Sequence, residues 1–183
     1  MLDDKQPDAL PDPLDVWSDE VFDVLLAADI KHVVYVPDSG HARLIERAIA
    51  EPSIKATVLT TEEEGIGVLL GAWLGGERGV LLMQSSGAGN CTNTLSLVQS
   101  CRFPFLTLVT MRGEWAEFNG WQTPMGKVTG QSLELMDVKA YRVEQSEEAA
   151  EVVSAVAESV FCGDLAAAVL LSQRMIGKKE WAK

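Results

Sequence analysis

Six short apolar runs, separated by stretches with helical spacing, constrain this chain more than any other feature. They fall at residues 33–36, 56–59, 80–83, 105–110, 140–143 and 167–171. Each is a continuous run rather than an apolar-polar alternation. A strand of that kind is buried on both faces, the condition of a parallel sheet covered by helices. Helical spacing fills the intervals: residues 17–28, 44–50, 62–74, 92–100, a short piece at 132–136, and 146–161. The pattern predicts an α/β fold, doubly wound, with a mostly parallel six-stranded sheet and helices on both faces. Residues 111–130 read as one long polar loop carrying Trp115 and Trp121.

The 183 residues, 47% of them hydrophobic, suit one domain with its own core. Its expected extent is 14–176, after an acidic, proline-rich lead-in (1–13) and before a short tail (177–183). A net charge of -12 argues against nucleic acid and against an anionic membrane surface as partners. No run of 18 apolar residues occurs, so no membrane span is expected. Cys91, Cys101 and Cys162 show no CxxC spacing, which fits a reduced, cytoplasmic compartment. The opening residues are acidic, opposite in charge to a secretory signal.

Doubly wound sheets bind ligands beyond the C-terminal ends of their strands. Here those ends are residues 37–40, 60–62, 84–90 and 110–117. Thr60-Thr61-Glu62-Glu63-Glu64-Gly65 places three carboxylates where a strand gives way to an apolar helix. Carboxylates are favoured at a helix start, and two registers of a capping box are possible. One glutamate is therefore a cap. Glu62 stands first after the strand; in apolar surroundings its carboxyl would hold a proton more tightly and could share it.

The glycines at 65, 67 and 71 spell a dinucleotide-like pattern, but they lie inside the helix, behind carboxylates that would repel a pyrophosphate. Their better use is close approach of another helix or backbone. Gln84-Ser85-Ser86-Gly87-Ala88-Gly89-Asn90 reads as a glycine turn, either a phosphate loop or a plain tight turn. His41 follows the first strand-end turn and either faces the site or lies on the surface. With His32 it completes the histidines, and no metal-binding spacing accompanies them. Arg112 offers a fork for an anion or pairs with Glu114. The tryptophan loop is either functional or a contact for a partner.

Together these segments resemble the pyrimidine-binding (PYR) domain of thiamine diphosphate enzymes. Within that group they are similar to the alpha subunit of sulfopyruvate decarboxylase and the matching part of phosphonopyruvate decarboxylase. The likeness rests on Val36-Pro37-Asp38-Ser39, Glu62-Glu63-Glu64-Gly65, Met83–Asn90, Met111–Trp115 and Trp121–Gly126, and spans roughly residues 15–175.

The resemblance implies a thiamine diphosphate-binding fold of PYR type and a 2-oxo acid decarboxylase. It places on Glu62, with Glu63 as the alternative register, the glutamate that addresses the cofactor's aminopyrimidine. Pro37, Asp38, Gln84, Ser85, Ser86, Gly87 and Asn90 are implied cofactor contacts. Ser39, His41, Arg112, Trp115, Trp121 and Gln122 are implied substrate contacts. The Gly-Asp-Gly motif that holds Mg2+ and the diphosphate in such enzymes is missing from this sequence. A beta-type subunit is therefore expected to supply it, in a hetero-oligomer with at least two of each chain, and this chain is expected to bind no metal itself. Two other readings stay open: a non-catalytic regulatory or structural subunit of the same fold, and a nucleotide-binding α/β domain.

Overall fold

The computed structural model describes residues 13–177. The lead-in up to residue 12 and the tail from residue 178 lie outside the described residues. The strands are β1 (Ile30–Tyr35), β2 (Lys55–Val58), β3 (Arg78–Gln84), β4 (Phe105–Thr110), β5 (Lys139–Val143) and β6 (Ala166–Leu171). They form one sheet, parallel throughout, in the order β2-β1-β3-β4-β6-β5. All six expected strands are present, and the sheet is wholly rather than mostly parallel.

Alternation along the four inner strands explains their continuous apolar runs; the edge strands β2 and β5, expected to be buried on both faces, are largely exposed or half-buried because each has a neighbour on one side only. In β3, Val80 and Leu82 join the core on one face, while Leu81 and Met83 join the core on the other. Helices α1 (Pro13–Ala27), α2 (Ala42–Ala50) and α7 (Ala149–Gly163) cover the first face through residues such as Phe22, Leu25, Leu44 and Val153. Helices α3 (Glu62–Leu74), α4 (Ser85–Cys91), α5 (Ser96–Cys101) and α6 (Thr123–Leu135) cover the second, through Ile66, Leu69, Cys91, Val98 and Leu133. Among the described residues no helix is long and apolar enough to cross a membrane.

Three stretches differ from expectation. The helix expected over 92–100 begins only at Ser96, after turns at 92–95. Residues 84–90 are not a turn; Gln84 is extended and a helix begins at Ser85. Its glycines oppose helix formation by propensity, but packing overrides them. A Cβ on Gly87 would collide with the Glu62 carboxyl, and one on Gly89 would come within 3.2 Å of Met125 Sδ. Residues 111–130 are not one loop either. The loop is shorter, passes through a single-turn 3-10 helix at Gly120–Gln122, and gives way to α6. The piece expected at 132–136 is the end of that 13-residue helix. Pro124 sits in its first turn, where a missing N–H costs nothing. Gly126 then lets α6 lie against the Arg112 carbonyl, where a Cβ would clash.

The order of strands sets the position of the site. From β1 the chain turns outward through α2 to β2; from β2 it crosses back through α3 to β3, on the other side of β1. The segments leaving β1 and β3 thus diverge to opposite faces, and a crevice opens at their C-terminal ends.

Candidate active site at the C-terminal edge of the sheet

Glu62 opens α3 and is 6% exposed. Asn90 Nδ2 donates to its Oε2 at 2.9 Å. Gly87 carries no side chain, so the α4 backbone lies directly against the carboxyl group. Among the described residues no hydrogen bond reaches Oε1, which lies beside Gly87. One oxygen is therefore clasped and the other has its hydrogen-bonding capacity unused. The same proximity acts on Cys91 in α4. Burial first, then the charges of Glu62 and Glu63, push its thiol up to about 12, so it stays protonated and inert.

The other two glutamates do different work. Thr61 is the N-cap of α3, but its hydroxyl makes no capping bond to the helix backbone. Glu64 reaches back instead, accepting from Thr60 N at 2.9 Å. That is like the carboxylate half of a capping box, but it reaches the residue before the N-cap rather than Thr61 itself. The Thr61 hydroxyl beside Glu63 holds that carboxyl below the usual range. Of the helix glycines, Gly65 closes onto the sheet, where a Cβ would meet Leu81 Cδ1 at 2.7 Å. Gly67 and Gly71 face open space. All three lie within the helix body, so no glycine turn precedes α3.

After β1, Asp38 Oδ2 accepts from the Thr110 hydroxyl at 2.6 Å and from Gly40 N at 3.2 Å. This ties the β1 exit to the end of β4. His41, two positions beyond Ser39, is fully buried and not a surface residue. Its Nε2 lies 3.1 Å from the Leu108 carbonyl oxygen. Burial pushes the imidazole down, against the opposing pull of Asp38 and of the Leu108 and Met83 carbonyls, so the ring is neutral at pH 7. His41 thus fastens the β1 exit to β4 from within.

After β3, Ser85 Oγ accepts from Arg112 N at 3.0 Å, and Gln122 Nε2 donates to Gln84 Oε1 at 3.2 Å. Arg112 is buried, but it is not free to hold an anion and its partner is not Glu114. Its Nε and Nη2 donate to the two oxygens of Glu117 at 2.8 and 2.7 Å, and its guanidinium lies 5.7 Å from the centre of the Phe118 ring. Glu117 also accepts from Gly113 N, Asn119 N and Gln173 Nε2. Burial raises this carboxyl, but the Arg112 fork and the other donors outweigh it and hold it at about 2. Glu114 pairs instead with Arg142, and its backbone N–H donates to Gln173 Oε1 at 2.9 Å.

The expected residues therefore fall into three groups. Glu62, Gly87 and Asn90 form one cluster, while Gln84, Ser85, Arg112 and Gln122 form a second. Asp38, Ser39 and Arg112 line a cavity of about 210 Å³ together with Gly40, Gln173 and Ile176. Pro37 is exposed beside it and Ser86 is half-buried on α4. Trp121 is exposed, and Trp115 is partly covered by Arg174. Glu117, Gln173, Thr110 and Ile176 were not anticipated. Gln173 lies 56 residues from Glu117, and no local spacing signals that pairing.

No family model matches the chain. The chain is 32% identical over 155 residues to the sulfopyruvate decarboxylase subunit alpha of Methanococcus maripaludis, covering 84% of this chain and 93% of that one. The subunit alpha of Methanothermobacter thermautotrophicus is 34% identical, over 84% and 94%. Phosphonopyruvate decarboxylase of Streptomyces viridochromogenes is 38% identical over 117 residues, which are 63% of this chain and 30% of the relative. Among solved structures, a 2-oxoglutarate:ferredoxin oxidoreductase from Magnetococcus marinus superposes with a TM-score of 0.67 at 12% identity, over 90% of this chain and 33% of that one. At that identity the likeness is one of fold. Similarity at this level, running over nearly the full length of the two subunit alpha relatives, places the chain in the family of sulfopyruvate decarboxylase alpha subunits.

Proposed function

We propose that this chain is the alpha-type half of a thiamine diphosphate-dependent 2-oxo acid decarboxylase acting on sulfopyruvate or phosphonopyruvate. The observation that carries this reading is Glu62, a buried carboxyl beyond the C-terminal end of a strand, with one oxygen fixed by Asn90 and the other, beside Gly87, without a hydrogen bond among the described residues. That arrangement fits a ring nitrogen that must gain or share a proton, because the clasp sets the carboxyl plane while leaving a lone pair available. When bound, thiamine diphosphate supplies the electron sink for loss of carbon dioxide. Glu62 holds and releases the proton at the aminopyrimidine. Gly87 lets α4 shield that carboxyl from water. Asp38 and Ser39 share the cavity wall, Asp38 as a cofactor contact and Ser39 as a contact for the 2-oxo acid.

The remaining parts belong to a beta-type partner. Three carboxylates at the α3 start repel a diphosphate, so that end of the cofactor and its Mg2+ are assigned to the partner chain. Arg112 is neutralised by Glu117, so the sulfonate or phosphonate is assigned there as well.

The test is Glu62→Gln in the complex reconstituted with its companion subunit. Assembly and melting temperature should stay unchanged, while turnover falls about 100-fold or more, the scale of a lost general acid–base group. Exchange of the cofactor's C2 proton, followed by NMR, should slow in parallel. Turnover within a few-fold of wild type would sink the assignment. A loss seen only in Glu63→Gln would move the role by one residue.

A further inference from the structure

Helix α6 turns an apolar stripe towards solvent. Its buried side consists of Gly126, Thr129 and Leu133. At 3.6 residues per turn, Pro124, Val128, Gln131 and Leu135 lie directly opposite. All four are exposed, Leu135 at 84%. A surface helix ordinarily places charged and polar side chains there. Helix α7 follows that rule, with Glu151, Ser154, Glu158 and Ser159 on its exposed side. In α6 the only charged residues, Lys127 and Glu134, are displaced to one flank of the stripe, and Met125 and Ser132 occupy the other. Among the described residues neither Lys127 nor Glu134 takes part in an ion pair.

The face is complementary to itself. Val128 and Leu135 are seven residues apart, and so are Lys127 and Glu134, so stripe and flank repeat together. Let two copies of α6 lie antiparallel about a two-fold axis. Pro124 then meets Leu135 of the second copy, Val128 meets Gln131, and Lys127 faces Glu134. The symmetry makes each of these contacts twice. A parallel pairing sets Lys127 against Ser132 and leaves Glu134 without a counter-charge. The charges thus select the antiparallel arrangement.

We propose that the outer face of α6 is a docking surface for a second copy of this chain, joined antiparallel about a two-fold axis. This inference does not rest on the decarboxylase reading. The helix has 13 residues and is about 20 Å long. That is short against the roughly 1,200 Å² that a stable interface buries. The contact is therefore weak for the chain alone and gains strength in an assembly held by other contacts as well, where the effective concentration of the second copy is high.

Sedimentation equilibrium on the full chain tests this. The wild type should pass from monomer to dimer below about 1 mM, the weak end of the affinity scale. Leu135→Asp should weaken dimerisation about 100-fold, since two leucines leave the interface and two carboxylates enter it. Lys127→Glu and Glu134→Lys should each weaken it about tenfold, and the double variant should return to the wild-type constant. All three positions are exposed, so the melting temperature of the monomer should hold. Rescue by charge exchange is an outcome that a general loss of folding or solubility does not produce. A wild type that stays monomeric, a dimer that none of the substitutions weakens, or a double variant that does not recover overturns the proposal. If the substitutions release a companion subunit from the reconstituted complex while self-association persists, the face belongs to that subunit and the proposal falls.

Discussion

Two buried carboxyl groups stand at the same edge of the sheet and are treated in opposite ways. Glu117 accepts five hydrogen bonds, two of them from Arg112, and is held at about 2. Glu62 accepts one, from Asn90. Glu117 has nothing left to offer a ligand. Its saturation fixes the loop between β4 and α6 as a frame and cancels the one arginine on the cavity wall. Glu62 is oriented yet unsaturated. Counting donors around a buried acid thus separates scaffold from site more sharply than burial does, since both are deeply buried.

The contrast can be broken from either side. The largest effect is expected for Glu117→Ala. It strands a buried guanidinium, and chemical denaturation should show a loss of about 3–5 kcal/mol. A change below about 1 kcal/mol would mean that the pair is not the frame described here.

The pH dependence comes next. Glu117 has a folded value near 2, against an ordinary 4.5. Its contribution is complete above about pH 4.5 and drains away as pH falls towards 2. Up to about 3 kcal/mol should be lost across that window. Denaturation curves at pH 5 and pH 3 measure it, and the share due to this residue should vanish in Glu117→Gln.

The smallest effect is expected at Asn90. Replacing it with Ala removes the clasp but leaves the Glu62 carboxyl in place. Turnover should fall about tenfold, the cost of a lost orienting hydrogen bond, with stability nearly unchanged. A fall as deep as that of Glu62→Gln would show that Asn90 itself touches the reacting atoms.

Much of the fold was legible in the sequence because the four inner strands, buried on both faces, must be apolar throughout, and all six strands were read to within a few residues although β2 and β5 lie at the exposed edges. The helices that were missed or shortened, α4 and α6, are the glycine- and proline-rich ones. Their local propensity is poor, and their stability comes from contacts at Gly87, Gly89 and Gly126 that only the tertiary structure reveals. The surroundings of the candidate site divide in the same way. The position of Glu62, buried at the start of α3, was legible because a charge at the mouth of an apolar helix is conspicuous. Glu117 was not, because its donors come from Arg112, Gly113, Asn119 and the distant Gln173. The same concealed pairing gave Arg112 the partner Glu117 in place of the expected Glu114. His41 was left between the site and the surface, since nothing local announces a bond to the Leu108 carbonyl 67 residues away.

The all-parallel strand order also governs how this protein comes into being. No two neighbouring strands can close as a hairpin, and the seam beneath the site joins Val33 to Val80. Such distant pairings pass through costly loop closure and form slowly. The crevice between β1 and β3 exists only once that seam has zipped. Glu62, approached from α4 beyond β3, acquires its clasp no earlier. Folding and acquisition of the site are therefore one cooperative event, and a truncated or half-folded chain retains no partial version of it.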